Sequence, residues 1–296
     1  MSGLLNIIVV GLLLGGIYGL ISMGLNLIFG VIRIVNFAHG ELVMLGMYGA
    51  YMCYFLLGMD PYASLVIVVP AMFVFGVLIQ RFVLQPLQGE PMMQIFATFG
   101  LLLIFQNAVL AITRGVGYTA PSALSSIVVD VGGIKISLVR LIALVAVSAA
   151  ALFLSWFVKN TMLGKAVRAV TQDRRAARLM GIHVEWAFML TFGAGAALAG
   201  LAGTLIAPIY TMSPQIGGNF ILAAFAVVVL GGLGSVWGAY IGGFLIGVTE
   251  AVAGYYLDPS LKTAIWFAIF IGMLIVRPSG LFGVVGAEEI GLREQD

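Results

Sequence analysis

The chain has 296 residues, of which 62% are hydrophobic and only 9% are charged, with 14 basic and 12 acidic side chains. Soluble domains carry about a quarter charged residues, so this composition excludes a single large aqueous domain and predicts a multi-pass membrane protein. The net charge of +2 gives no indication of a nucleic-acid partner.

Apolar runs long enough to cross a bilayer recur along the chain. A hydrocarbon core about 30 Å thick requires about 20 apolar residues per helix. The predicted spans lie near 4–32, 42–58, 62–84, 93–112, 138–158, 187–208 and 260–276. The first run has no Lys or Arg before it and exceeds a signal-peptide core in length, so we expect it to be retained as a span. The predicted fold is all-α, with about eight transmembrane helices in one domain over 1–296.

The stretch VIRIVNFAHGELVMLG, at 31–46, places four polar side chains in apolar surroundings, namely Arg33, Asn36, His39 and Glu41. We expect this group at the inner mouth or a short way into the membrane, where Glu41 near a helix N-terminus gains about 0.3–1 kcal/mol from the helix dipole. Three interpretations remain open: capping of a helix break, lining of an exit for a zwitterion by Asn36, His39, Gly40 and Glu41, and proton relay through His39.

The segment 159–186 collects six basic side chains. They are Lys159, Lys165, Arg168, Arg174, Arg175 and Arg178. Short basic loops stay in the cytoplasm, so this segment is predicted to lie inside. Thr161 or Asn160 can cap a short amphipathic helix here, and Gly181 can end it. Such a helix would either lie on lipid headgroups or dock a cytoplasmic partner.

The apolar region 217–257 is interrupted by GGLGS at 231–235. Each glycine costs a helix about 1 kcal/mol relative to alanine, so a break is expected. Arg277 reaches the cytoplasmic side only if this region crosses the membrane an even number of times, which predicts a paired or re-entrant segment. Irregular backbone at membrane depth lines a cavity or is buried in protein, so Gly232, Gly234 and Ser235 are candidates for a transport path. Close helix packing is the other interpretation of these glycines.

Two short segments are similar to each other, MYGAYM at 47–52 and VWGAYI at 236–241. Asp-Pro follows each of them, at 60–61 and 258–259. Paired interrupted helices are typical of transporters built from repeats. The similarity therefore suggests an internal repeat, with chance as the alternative.

Ionisable residues in the predicted spans are few, which bears on whether the chain could be an ion-coupled carrier or an enzyme. Ion-coupled carriers need such groups, and the candidates are His39, Glu41 and Glu250. Residues two apart on a helix face different directions, so His39 and Glu41 do not form one ion site on a regular helix. One cysteine and two histidines offer neither a catalytic constellation nor a metal site, and no cofactor is expected.

Four ordered motifs carry a resemblance that covers nearly the whole chain. They are GLLLGGIYGLISMGLNLIFGVIRIVNFAHGELVMLGMYGAY, GKAVRAVTQDRRAARLMGI, AVVVLGGLGSVWGAYIGG and RPSGLFG. Together they resemble the permease subunits of bacterial branched-chain amino acid ABC transporters, most closely the shorter LivH-type subunit. Urea and short-chain amide permeases look much alike, so the cargo stays open.

The resemblance implies an importer subunit in the bacterial inner membrane. Its expected partners are a second related permease subunit, two cytoplasmic ATPase subunits, an extracytoplasmic substrate-binding protein and membrane lipid. The residues implied to couple to the ATPases lie in a coupling helix at 161–182 and are Gly164, Arg168, Arg174, Arg175 and Gly181. No G-x-x-x-x-G-K-[ST] loop occurs in the sequence, so the ATPase is expected to be a separate chain.

Overall fold

The computed structural model describes residues 2–131, 134–256, 262–277 and 279–283. Its α-helices are α1 (Ser2–Ile32), α2 (His39–Leu57), α3 (Leu65–Ile79), α4 (Pro91–Thr113), α5 (Leu138–Asn160), α6 (Met162–Gln172), α7 (Arg174–Leu179), α8 (Val184–Ile206), α9 (Ile216–Gly231), α10 (Val236–Tyr256) and α11 (Lys262–Val276). A π-helical turn at Gln80–Leu84 and 3-10 turns at Gln85–Leu87 and Ala123–Ser126 complete the helical structure of this part of the chain.

The all-α prediction is confirmed, with one small addition. In the described residues, seven helices are long and apolar enough to cross a membrane, and two shorter apolar helices occupy 216–231 and 264–276. The addition is an antiparallel hairpin of β1 (Val128–Val131) and β2 (Ile134–Ser137) in the loop between α4 and α5. The predicted spans coincide with helices to within a few residues, because length and hydropathy determine where a bilayer-crossing helix can start and end.

The helices α1 and α10 pack against each other along most of their lengths through glycines. A Cβ atom placed on Gly15 would lie 2.6 Å from the carbonyl oxygen of Gly243, and one on Gly11 would lie 2.7 Å from the Cα of Val248. Small residues four apart let helix backbones approach this closely, and the resulting van der Waals contact holds membrane helices together. The core that surrounds this pair includes the fully buried side chains of Leu20 on α1 and Phe192 on α8.

The region 217–257 contains the predicted break. The helices α9 and α10 are separated by a turn at 232–235 and pack against each other. This turn contacts the C-terminal end of α1, because a Cβ atom on Gly30 would lie 3.0 Å from the Cα of Gly234. The chain after Arg277 returns to the same place, where the Leu281 amide donates to the Leu230 carbonyl at 2.9 Å. Two paired helices with their turn at the Arg33 end therefore replace a single span, as the charge pattern predicts.

The suggested internal repeat stays a prediction. MYGAYM begins eight residues into α2, whereas VWGAYI begins at the first residue of α10, so the two segments hold different positions relative to the break before them. The Asp-Pro pair at 258–259 lies outside the described residues.

Candidate functional site

The first helix break runs over residues 33–38, between α1 and α2. Asn36 Oδ1 accepts a hydrogen bond from the Ala38 amide at 3.1 Å, one residue before α2 begins. Thr98 of α4 binds this segment from the side, since its hydroxyl accepts from the Phe37 amide at 3.3 Å. Its proton is shared between the Val35 carbonyl at 3.2 Å and the Ile95 carbonyl of its own helix at 2.9 Å. Side chains from two elements therefore satisfy part of the irregular backbone, as burial in a membrane protein requires.

His39 shows how far the chain turns back along α1 after the first break. Its Nε2 is 3.0 Å from the carbonyl oxygen of Ile21, and the side chain is completely buried. Ile21 precedes the end of α1 at Ile32 by 11 residues, which is about 16 Å of helical rise. The chain therefore turns back between α1 and α2, and the N-terminus of α2 lies beside the middle of α1. The expected depth of this group, at the inner mouth or a short way into the membrane, stays a prediction.

Glu41 lies in the first turn of α2 and is 1% exposed. Its carboxyl group faces α9, where a Cβ atom on Gly217 would lie 2.7 Å from the carboxyl carbon and oxygens. Gly217 is the second residue of α9, so the N-terminal ends of two helices meet at this carboxyl group. Helix N-termini carry partial positive charge, and the glycine allows the close approach.

Three polar atoms of this group have no hydrogen-bond partner in the described structure, namely Asn36 Nδ2, His39 Nδ1 and Glu41 Oε2. Native proteins satisfy nearly all buried polar groups, so each exception calls for an explanation. Two cavities, of 370 and 620 Å³, lie elsewhere in the molecule, and neither is lined by these residues. The group is thus enclosed in this conformation and retains capacity to bind a polar ligand.

The second break, at 232–235, is satisfied by a single side chain. Asn26 of α1 donates to the carbonyls of Gly232 at 3.0 Å and Ser235 at 2.7 Å, and its Oδ1 accepts from the Gly234 amide. Gly232 adopts a φ of +104°, and a Cβ atom there would overlap the backbone of Gly283. These glycines serve close packing here, which is one of the two interpretations that the sequence leaves open.

The two predicted path groups contact different parts of α1. His39 contacts Ile21, whereas Gly234 contacts Gly30, so the structure does not bring them together. Sequence reasoning missed Asn26 and Thr98. The available signal was a lone amide in the first apolar run, since polar side chains inside spans usually hydrogen-bond to a neighbouring helix.

The basic segment forms two helices, so the expectation of one helix over 161–182 is wrong. The Thr161 hydroxyl caps α6 by accepting from the Gly164 amide at 3.0 Å. Asp173 then interrupts the segment and caps α7, accepting from the amides of Arg175 at 2.8 Å and Ala176 at 2.9 Å. An aspartate that bonds to the following amides favours a new helix start over continuation. Gly181, with a φ of +81°, follows the end of α7.

The predicted coupling residues of this segment face different surroundings. Arg174 donates to the Ile32 carbonyl at 3.0 Å and stacks over the Phe188 ring, with 5.1 Å between the guanidinium carbon and the ring centroid. A cation at the C-terminal end of α1 is favourable because that end carries partial negative charge. Arg168 and Arg175 are exposed, and Gly164 is buried against the end of α5.

Two exposed apolar side chains stand at the tip of the same segment. Leu179 and Met180 are 89% and 82% exposed. They follow Arg178, which forms an exposed ion pair with Glu185 at 2.8 Å. Large apolar side chains that protrude beside charged ones are typical of a contact surface for another protein.

Among the described residues, seven helices long and apolar enough to cross a bilayer indicate a multi-pass membrane protein. The family model for the branched-chain amino acid transport system permease component matches residues 7–276. The chain belongs to this family of permeases, and the resemblance drawn from the sequence is confirmed.

Two of the similar proteins match nearly the whole chain, and a third matches about half of it. The high-affinity branched-chain amino acid transport system permease protein BraD of Pseudomonas aeruginosa is 32% identical over 294 residues, covering 95% of this chain and 96% of the relative. The LivH protein of Escherichia coli K12, of the same description, is 32% identical over 298 residues, with the same coverage. The LivM protein of that organism is 32% identical over 148 residues, which is 48% of this chain and 34% of the relative. No solved structure matches the chain.

Proposed function

We propose that this chain is a membrane-spanning permease subunit of an ABC importer for branched-chain amino acids, located in the bacterial inner membrane. The observation that carries the proposal is the similarity to BraD and LivH over 95% of the chain. The composition of the spans supports it, because an apolar amino acid side chain needs only an apolar route, while its ammonium and carboxylate need a few polar partners.

The importer assembles from several chains in this proposal. A second related permease completes the transport path, and the similarity to part of LivM supports a pair of related subunits. A substrate-binding protein delivers cargo from outside. ATP is hydrolysed by two separate cytoplasmic subunits, because this sequence carries no loop of the type that holds ATP phosphates.

The tip of the basic segment docks on the ATPases. Leu179 and Met180 supply exposed apolar contacts, and Arg175 supplies an exposed charge beside them. Arg174, held against Ile32 and Phe188, links this surface to the end of α1. Movement of an ATPase would therefore act directly on α1, the helix that contacts both breaks.

The group at the first break provides the polar contacts of the path. Asn36, His39 and Glu41 are buried and retain unpaired polar atoms. When the path opens, these atoms can bind the ends of a passing amino acid and release it, since no single contact is strong. Gly40 and Gly217 keep this region compact in the closed state.

The cargo is tested by reconstituting the complete transporter in vesicles with its binding protein and ATP. We expect uptake of radiolabelled L-leucine that persists when a protonophore is added at constant ATP. Uptake of urea or acetamide in place of leucine would contradict the proposed cargo. Loss of uptake with the protonophore, while hydrolysis continues, would contradict ATP as the driving force.

The docking surface is tested with the double variant Leu179→Ala and Met180→Ala. Since exposed apolar anchors dominate many interfaces, we expect the ATPases to dissociate during purification and leucine uptake to be lost. Val116→Ala is the matched control, because Val116 is an exposed apolar residue outside this segment. Full uptake by the double variant would remove this surface from the coupling mechanism.

A further inference from the structure

A cavity of about 370 Å³ lies at the end of the molecule opposite to the basic segment. Its walls come from residues 7–17 of α1, the last turns of α10, the start of α5 and the connection between α8 and α9. The other end of α1 contacts the basic segment, where Arg33 donates to the Thr171 carbonyl. The volume falls within the range of about 300–1,000 Å³ that is typical of small-molecule sites.

Two side chains of opposite charge face this cavity from different helices. Glu250, on α10, is 7% exposed, and Arg140, in the first turn of α5, is partly buried. Charged side chains in membrane spans are unfavourable and generally mark a functional site. The function of the first break uses neither of these residues.

Tyr210, from the connection between α8 and α9, also lines the cavity, and both charges influence the pKa of its hydroxyl. Burial raises the pKa of its hydroxyl, the Glu250 carboxylate raises that pKa further, and the Arg140 guanidinium lowers it. Both charged groups therefore act on one phenol. The acidic and the basic group therefore lie on the same small cavity.

The remaining wall is apolar. Val10, Leu13 and Leu14 of α1 line the side of the cavity that carries no charge. An acidic group, a basic group and an aliphatic wall together match three parts of one ligand. These are an ammonium, a carboxylate and a branched aliphatic side chain.

We propose that this cavity is a binding site for a zwitterionic apolar amino acid, in which Arg140 binds the carboxylate, Glu250 binds the ammonium and α1 contacts the side chain. The inference rests on the proposed function, because it assumes an amino acid as cargo. It adds a receiving site at the end opposite to the ATPase-docking surface, separate from the group around His39 and Glu41. Cargo would bind here before it reaches the first break.

The site is tested by ligand protection of an introduced cysteine. Cys53, the single native cysteine, is changed to alanine, and Val10→Cys places a thiol in the cavity wall. The permease complex with its ATPases, without the binding protein so that ligand is not sequestered, is treated with a membrane-impermeant maleimide. Three compounds compete with labelling. L-leucine carries both charges, leucinamide carries only the ammonium, and 4-methylpentanoate carries only the carboxylate.

We expect L-leucine to slow the labelling of Val10→Cys, with the two analogues much weaker. Arg140→Gln and Glu250→Gln should each raise the leucine concentration for half-protection by at least about tenfold, because each leaves one ligand charge without its partner. Arg114→Gln, an exposed arginine outside the cavity, should leave that concentration unchanged. Equal protection by all three compounds, or an unchanged concentration in both cavity variants, would overturn the proposal.

Two further measurements keep the result decisive. If a charge variant does not assemble, the comparison of the three compounds on the complex with both charges intact decides the question. Leucine uptake by the complete wild-type transporter is measured in parallel. Absence of that uptake would overturn the proposed function, whereas uptake without protection by leucine would overturn only this binding site.

Discussion

The two helix breaks contact the same helix, α1, but differ in how their polar groups are satisfied. At 232–235, Asn26 binds three backbone groups, and glycines let the neighbouring backbones approach closely, so the turn is tightly packed. At 33–38, Thr98 and Asn36 satisfy the nearby backbone, yet polar atoms of Asn36, His39 and Glu41 remain unpaired. The two breaks therefore differ in the hydrogen-bonding capacity that remains after folding, and the break at 33–38 keeps buried polar atoms that can bind a ligand.

The largest expected effect is a loss of stability when Asn26 no longer binds the break at 232–235. Asn26→Leu keeps the size of the side chain but leaves the carbonyls of Gly232 and Ser235 and the amide of Gly234 without this partner. Both carbonyls keep a backbone donor, the Ser235 amide for Gly232 and the Ala239 amide for Ser235. The variant loses three hydrogen bonds of about 1 kcal/mol each, so we expect the free energy of unfolding to fall by on the order of 3 kcal/mol. Thermal unfolding in detergent measures it. Asn107→Leu is the control, because Asn107 is exposed and bonds only within its own helix.

The second prediction concerns Gly217, which touches Glu41. Gly217→Ala forces a methyl group against the carboxyl group, and overpacking of this kind costs about 1–3 kcal/mol. We expect the initial rate of leucine uptake to fall roughly tenfold, since 1.4 kcal/mol corresponds to a factor of ten. Gly218→Ala should have no such effect, because nothing lies within 4 Å of its added Cβ. Equal uptake by the two variants would show that Glu41 need not keep this position.

A smaller effect is expected from Thr98, whose hydroxyl contacts the backbone of the break at 33–38. Thr98→Val retains the shape but removes the hydroxyl that binds the Val35 carbonyl and the Phe37 amide. We expect a loss of about 1–2 kcal/mol in the free energy of unfolding, measured as for Asn26→Leu. Thr249→Val, at a partly buried threonine whose solvent-accessible hydrogen bond stays within its own helix, should change stability little. A loss as large as that of Asn26→Leu would mean that the two breaks are equally rigid.

The smallest effect is expected for the polar side chains themselves. Glu41→Gln keeps the hydrogen-bonding shape and removes the interaction of a charge with the helix N-termini, which corresponds to about a two- to fivefold lower uptake rate. His39→Gln should leave uptake insensitive to a protonophore at constant ATP, as in the wild type. If His39→Gln makes uptake depend on the proton gradient, the first break belongs to an ion pathway.

Hydropathy and glycine content predict the spans and the break at 231–235, because both depend on local composition and length. Depth is different. The sequence places Arg33 near the end of a span, but the return of the chain to the level of Ile21 depends on contacts among α1, α2 and α9 that are far apart in sequence. Local reasoning therefore does not predict that His39 lies beside Ile21.

The basic segment shows a second limit of local reasoning. Apolar residues at three- and four-residue steps predict one helix, yet Asp173 turns its side chain to the following amides and starts another. One continuous helix and two short helices are both compatible with this spacing of apolar residues. The spacing also says nothing about the contact between Arg174 and Ile32, which joins parts of the chain far apart in sequence. The charge of the segment is predictable from the sequence, whereas the direction of each charge depends on the neighbouring helix.

The glycine contact between α1 and α10 has a consequence for biosynthesis. Gly15 and its partner Gly243 are 228 residues apart in the chain, and ribosomes add about 5–20 residues per second. The first helix therefore enters the bilayer roughly 10 to 45 s before α10 is synthesised. During that interval its row of small residues lacks its partner α10 and faces other surroundings, such as lipid.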